Sequence, residues 1–212
     1  MASAQPNQSI LKGFVILQEV IASARPLGSR EISRILAIEH STANRILGTL
    51  VETGMLQQDS ESKYLPGPRI HVLSALSFNA SGLIPAALPV LETFHGIGAT
   101  VALGTLWRDI VVYLLHARAD QDLAQSAGVH ESFPASKSSI GTVLAPGGPE
   151  VTYEYRPSFK QRAWAARIGD KENIGIAVVL PEDHPKANPP SVMKQLVKKA
   201  ALEIYLKLHE EP

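Results

Sequence analysis

The first third of the chain contains three short helical segments followed by a β-hairpin, and this pattern constrains the fold most. The first predicted helix covers Ser9 to Ala24, where apolar residues recur at spacings of three and four, with Ser9 as its N-cap. The segment Arg25 to Gly28 ends it, because proline cannot continue a helix and glycine permits a turn. Ser29 caps a second short helix, and a third runs from about Ser41 to Thr53 before a stop at Gly54.

Two short strand-like pieces follow the third helix. They cover Met55 to Gln58 and Lys63 to Leu65, and a polar segment joins them as in a hairpin. Three helices and a hairpin form a winged helix-turn-helix, in which the third helix enters the DNA major groove while the wing contacts the backbone.

The pattern changes again beyond Gly82. The predicted elements there are a helix, two paired strands, a buried strand and a final surface helix: 83–95, 100–105, 110–116, 174–180 and 192–208. We therefore predict an α+β chain in three parts. These are a winged helix-turn-helix at 1–67, a linker helix at 68–82 and a small α/β domain at 83–212.

The charge of the chain is low for a protein that binds DNA. Its 20 Lys and Arg residues equal its 20 Asp and Glu residues, so the formal net charge is zero. In the first 80 residues, seven basic side chains against six acidic ones leave a net charge of only +1. Affinity for DNA must then depend on where the charges lie and on dimerisation, and non-specific binding should be weak.

Several classes of protein are disfavoured by what the sequence lacks. There is no cysteine, which excludes disulfides, cysteine-bound metals and a thiol nucleophile. The segment Met1 to Asn7 does not resemble a signal peptide, and the longest apolar runs are too short to cross a bilayer. No nucleophile elbow, phosphate-binding loop or helical histidine pair occurs. We expect a soluble cytoplasmic protein that is not an enzyme, uses no cofactor or metal and has no membrane partner.

The start of the third helix carries the side chains suited to reading DNA. Asparagine can bond adenine, arginine can bond guanine, and threonine can touch a thymine methyl group. The predicted base contacts are Thr42, Asn44 and Arg45. The predicted phosphate contacts are side chains at helix N-termini and on the wing: Ser29, Arg30, Ser41, Lys63 and Tyr64. Arg45 could instead form an ion pair with Glu39 or Glu52.

With these motifs the chain resembles the IclR-type bacterial transcriptional regulators. The resemblance rests on the following motifs of the first 80 residues: Ile16-Leu17, Glu31-Ile32-Ser33 with Leu36, Ser41-Thr42, Arg45-Ile46-Leu47, Leu50 to Gly54, Tyr64 and Gly67-Pro68-Arg69. It implies a homodimeric or homotetrameric regulator of a DNA operator, with a C-terminal GAF/PAS-like domain that binds a small organic acid. We expect subunits to meet at the apolar linker helix, at Ile70, Leu73 and Leu76.

The C-terminal resemblance is looser. Ala127-Gly128, Pro134 and the run from Ser138 to Gly141 are similar to the motif beside the family's effector pocket. The effector contacts implied are three serines and an arginine: Ser136, Ser138, Ser139 and Arg167. The segment between Ala145 and Arg162 is shorter than in the family, so one wall of the pocket is expected to be missing.

Three alternatives follow from these departures. The serines could only cap the helix at Ile140-Gly141. The chain could be a regulator that no longer senses an effector. It could also be a winged-helix protein-interaction or oligomerisation module that binds no DNA, which the near-neutral charge favours.

Overall fold

A computed structural model describes residues 5–23, 25–170 and 172–210. The chain divides into two compact units, residues 1–80 and residues 81–212. The division falls inside the stretch that the sequence predicts as a linker helix.

The described residues of the N-terminal unit form four helices and one hairpin. In chain order these are α1 (Gln8–Ala22), α2 (Ser29–Ile35), α3 (His40–Glu52), β1 (Leu56–Gln58), β2 (Tyr64–Pro66) and α4 (Pro68–Ala80). The strands pair antiparallel, with Gln57 opposite Leu65. The predicted order of elements is confirmed, while Ala24, the predicted end of the first helix, lies outside the described residues.

The helix caps differ from the sequence prediction. Asn7 caps α1, because its side-chain oxygen accepts hydrogen bonds from the backbone N–H groups of Ser9 and Ile10 at 3.0 and 3.3 Å. Gly28 precedes α2 without a side-chain cap. The predictions of Ser9 and Ser29 as caps are therefore wrong, because the cap lies two residues earlier for α1 and one residue earlier for α2.

One apolar core holds the N-terminal unit together. It joins the three helices to the wing through fully buried side chains, among them Ile16, Ile32, Leu47 and Leu56. The wing returns so close to α3 that a Cβ atom on Gly67 would lie 2.3 Å from the backbone oxygen of Gly54. Only glycine fits at this position.

The C-terminal unit is built on a six-stranded antiparallel sheet with strand order β5-β4-β3-β8-β7-β6. Its elements are α5 (Leu83–His95), β3 (Thr100–Trp107), β4 (Ile110–Ala117), β5 (Ala127–Pro134), α6 (Ser139–Leu144), β6 (Val151–Arg156), β7 (Gln161–Ile168), β8 (Ile174–Pro181) and α7 (Pro190–His209). The predicted helices at both ends and the β3–β4 pair are confirmed. The sequence analysis did not predict β5 and β6, the two edge strands.

The two faces of this sheet are covered unequally. On one face, Leu103, Trp164 and Val178 join the large core made with α5 and α7. On the other, small residues such as Ala165 and Ala177 pack against the short helix α6. Six residues connect α6 to β6. Among the described residues, the short helix α6 is the helix that packs on this second face.

Among the described residues, no single helix has the length and apolar composition of a membrane span. Only the bent pair Pro68–Phe78 and Leu83–His95 meets that test when its two helices are taken together.

Candidate nucleic-acid interface and ligand site

The exposed face of α3 is the first candidate site. The helix buries one stripe against the core and leaves Asn44 and Arg45 exposed to solvent. At 100° per residue, Thr42 and Asn44 lie about 160° apart around the helix, with Arg45 between them. Thr42 is half-buried at the edge of the exposed face. Arg45 and Asn44 are therefore the better placed of the three predicted base contacts.

A histidine that the sequence analysis did not select joins α2 to α3. The Nε2 atom of His40 lies 3.3 Å from the Asn44 amide nitrogen and 3.3 Å from the Ser29 hydroxyl. The spacing of His40 and Asn44 by four residues places them on the same side of the helix, and this spacing could have identified the pair. The Ser29 hydroxyl, predicted to contact a phosphate, is thus within hydrogen-bond reach of another side chain.

The N-terminus of α3 is occupied by a carboxylate. Glu39 is the N-cap, and its oxygens accept hydrogen bonds from the backbone N–H groups of Ser41 at 2.9 Å and Thr42 at 2.8 Å. The Ser41 hydroxyl also donates to this carboxylate. These bonds, first the one from the Ser41 side chain and then those from the two backbone groups, lower the pKa of Glu39 to about 2. The donors that the sequence analysis assigned to a phosphate at Ser41 already have an anionic partner within the chain.

The wing presents one of its two predicted phosphate contacts. Lys63 is exposed and forms an ion pair with Glu61, with 2.5 Å between the ammonium nitrogen and a carboxylate oxygen. Tyr64, the other prediction, is only 8% exposed and belongs to the core. Its backbone also pairs with that of Leu27, which holds the tyrosine side chain toward the helices. Tyr64 therefore lacks the exposure that a phosphate contact needs.

Arg45 also borders an apolar groove between α1, α3 and α4, with a volume of about 580 Å³. Within the described part of the chain, Arg45 makes no ion pair with Glu39 or Glu52, the alternative that the sequence left open.

Large apolar side chains remain exposed on α1 and α4, and three of them, Ile10, Phe14 and Leu73, line this groove. We call them the α1/α4 apolar surface: Ile10, Leu11, Phe14, Val15, Val72, Leu73 and Leu76. Of the three linker-helix residues predicted at a subunit contact, Leu73 and Leu76 belong to this surface, while Ile70 is half-buried.

The predicted effector serines lie at the N-terminus of α6. Ser138 is buried, accepts a hydrogen bond from the backbone N–H of Gly141 and lies 3.0 Å from the hydroxyl of Tyr113. The helix-capping role that the sequence allowed for these serines is thus present for Ser138. Ser136 lies in the preceding turn and is exposed.

The arginine beside these serines is Arg156 and not Arg167. Arg156 donates to the Ser139 hydroxyl at 2.7 Å and to the Glu154 carboxylate at 2.9 Å. Ser139 also donates to Glu154 at 3.1 Å. Arg167 instead donates to the backbone oxygen of Gly148, in the loop after α6. The sequence analysis could not identify Arg156, because its contact with Ser139 depends on the pairing of β6 with the sheet.

Among residues 5–23, 25–170 and 172–210, no group of three His, Asp or Glu side chains is arranged to hold a metal ion.

Comparison with known proteins places this geometry in context. A model of the IclR helix-turn-helix domain matches residues 9–60. The HTH-type transcriptional regulator KdgR of Escherichia coli K12 is 30% identical over 144 residues, which cover 66% of this chain and 54% of KdgR. The chain spans about half the length of the curated relatives it matches.

Solved structures share the fold at low sequence identity. An IclR family transcriptional regulator from Brucella abortus superimposes with a TM-score of 0.67 at 15% identity, covering 98% of this chain and 95% of that one. An IclR homolog from Microbacterium hydrocarbonoxydans, complexed with 4-hydroxybenzoate, superimposes with a TM-score of 0.55 at 19% identity, covering 95% of this chain and all of that one.

Proposed function

We propose that the chain, whose residues 9–60 match the IclR helix-turn-helix model, is an IclR-type transcriptional regulator. We further propose that it binds a specific operator in double-stranded DNA under the control of a small metabolite. The observation that carries this proposal is the exposed face of α3, where Asn44 and Arg45 project from a helix-turn-helix matched by the family model. We place its action in the bacterial cytoplasm, where the operator is accessible.

The proposed contacts divide into two kinds. Arg45 bonds a guanine and Asn44 an adenine in the major groove, while Thr42 touches the edge of the site. Arg30, which is exposed on α2, and Lys63 on the wing bind phosphates and position the protein without reading sequence. Ser29 and Ser41 contribute to phosphate binding only after their hydroxyls leave their present partners.

We further propose that the operator is bound by a homodimer formed through the α1/α4 apolar surface. Phe14 and Leu76 in this surface are each 59% exposed, which is unfavourable for large apolar side chains in water. A second copy of the same surface would cover them in a two-fold arrangement, which suits a palindromic operator.

The effector is proposed to bind on the α6 face of the sheet, beside Ser138 and Ser139. Arg156 supplies a guanidinium there, which suits the carboxylate of a small organic acid. The 4-hydroxybenzoate bound by the Microbacterium relative belongs to this chemical class. Because Glu154 already pairs with Arg156, the acid would have to displace this internal carboxylate.

The proposed DNA function is tested by selecting bound sequences from a random pool of duplex DNA. We expect wild-type protein to enrich an inverted repeat. Arg45→Ala should lose preference at one position in each half-site, at a cost of about 1–3 kcal/mol, whereas Lys63→Ala should weaken binding to all sequences alike. Arg118→Ala, which removes an exposed arginine from the C-terminal unit, serves as the matched control and should select the wild-type sequence.

Two results would contradict the proposal. Equal loss on every sequence from Arg45→Ala would show that Arg45 does not read a base. No enrichment by folded wild-type protein at low salt would favour the protein-interaction module instead.

The effector site is tested by thermal shift with 4-hydroxybenzoate and other small organic acids. A ligand that raises the melting temperature and changes operator affinity supports sensing. Arg156→Ala should abolish the shift, and Arg167→Ala should retain it. A shift lost only with Arg167→Ala would place the site at the other arginine, and no shift with any acid would favour a regulator without this sensing.

A further inference from the structure

Two carboxylates of the chain bind donors that the proposed DNA interface would offer to phosphates. The Glu39 carboxylate bonds the free backbone N–H groups at the start of α3, and Glu61 pairs with Lys63 on the wing. Both are therefore in the positions where an interface of this kind binds phosphate oxygens. They are two of the six acidic residues among the first 80, whose net charge is only +1.

The Glu39 arrangement is the more specific of the two. Both carboxylate oxygens are used, one by the N–H of Ser41 and one by the N–H of Thr42. Glu39 lies directly before the helix that carries Asn44 and Arg45. A phosphate approaching this helix end meets a negative charge instead of unpaired donors.

Glu61 differs from Glu39 because its partner is the ammonium group of Lys63 and not the N-terminus of a helix. Lys63 must leave Glu61 before it binds a phosphate, and the released carboxylate then attracts a cation from solution. The net release of counterions on binding DNA is smaller than for a free lysine, and so is the gain in affinity.

We propose that Glu39 and Glu61 occupy the phosphate-binding donors of the interface and thereby lower the sequence-independent part of its affinity for DNA. The inference rests on the proposed function, since it concerns the same interface. Base contacts by Asn44 and Arg45 are unaffected by either carboxylate. The two carboxylates therefore weaken binding to operator and scrambled DNA by the same factor, and the choice of sequence depends on the base contacts.

The test compares two replacements of Glu39 that both retain a helix cap. Serine and aspartate are each favoured at the N-cap, but only aspartate keeps the charge. The affinities of wild type, Glu39→Ser and Glu39→Asp are measured against operator and scrambled duplexes over a range of salt concentrations. Glu52→Gln, which removes an exposed charge from the other end of α3, is the matched control.

We expect Glu39→Ser to bind scrambled DNA about threefold to thirtyfold more tightly than wild type does, when both α3 helices of the dimer contribute. The slope of log affinity against log salt should steepen by about 0.9 for each helix that gains a phosphate contact. Glu39→Asp and Glu52→Gln should keep the wild-type slope. Glu61→Gln should steepen the slope without changing which sequence is selected.

The inference is overturned if Glu39→Ser keeps the wild-type slope and scrambled-DNA affinity while its circular dichroism and melting temperature match those of Glu39→Asp. A steeper slope in Glu52→Gln equal to that of Glu39→Ser would also overturn it, because the effect would then be one of net charge alone. The proposed function fails separately, when the wild-type protein selects no operator.

Discussion

The two units of this protein differ in how far their polar candidate residues are buried. In the N-terminal unit, Asn44 and Arg45 lie on the surface of a helix whose other side forms the core. In the C-terminal unit, Ser138 and Ser139 are buried and already hydrogen-bonded to other residues of the chain. Arg45 can therefore meet an operator directly and Asn44 has only to exchange an exposed hydrogen bond with His40, whereas an effector has to replace buried hydrogen bonds. This difference teaches that the burial of a polar side chain decides whether a ligand can reach it without disturbing the fold.

The largest expected effect tests how far the C-terminal unit depends on its own core. Trp164 is fully buried, and its indole N–H donates to the backbone oxygen of Pro190. Trp164→Ala should lower the free energy of unfolding of this unit by about 3–5 kcal/mol. Urea denaturation measures the change, and selection of operator DNA by the variant shows whether the N-terminal unit depends on it. A loss below 1 kcal/mol would contradict the tight packing around this ring.

The next effect compares two exposed phenylalanines, one in each unit. Phe14 is 59% exposed in the α1/α4 apolar surface, and Phe159 is 72% exposed after β6. Phe14→Ser should weaken the dimer by about 1.5–3 kcal/mol per subunit, because that apolar area is no longer removed from water. Phe159→Ser should leave the oligomeric state unchanged. Sedimentation equilibrium measures both, and a stronger effect from Phe159→Ser would move the subunit contact to the C-terminal unit.

A smaller effect compares two serines, each at the start of a helix. Ser138→Ala removes the cap of α6 and leaves the Tyr113 hydroxyl without this partner, so it should cost about 0.5–2 kcal/mol. Ser41→Ala should cost less than about 0.5 kcal/mol, because Ser41 is exposed and Glu39 still caps the backbone of α3. Thermal unfolding of both variants provides the comparison. Equal losses would show that burial does not distinguish these hydroxyls.

The smallest expected effect is the pH dependence contributed by Glu39. Its hydrogen bonds lower its pKa in the folded protein to about 2 from the usual 4.5, so the unfolded chain binds more protons between these values. The resulting stabilisation is present above pH 4.5 and is lost as the pH falls toward 2. Melting temperatures of wild type and Glu39→Ser should therefore converge across this window. Parallel curves would show that Glu39 is not preferentially bonded in its charged form.

Prediction from sequence succeeded where contacts are local. The apolar pattern of the sequence identified α1, α3, α5 and α7 to within a few residues. Cap positions were less accurate, because neighbouring polar residues such as Asn7 and Ser9 are equally suited to the role.

The sequence by itself determined the helix-turn-helix and the exposed polar types on α3, because each follows from residues close together in the chain. Only the tertiary structure decided that Tyr64 is buried, that Glu39 closes the N-terminus of α3, and that Arg156 and not Arg167 lies beside Ser139. The burial of Tyr64 and the placement of Arg156 depend on strand pairing and packing between segments distant in sequence. The Glu39 cap depends on the orientation of its side chain. The periodicity of apolar residues in the sequence specifies neither the long-range packing nor this orientation.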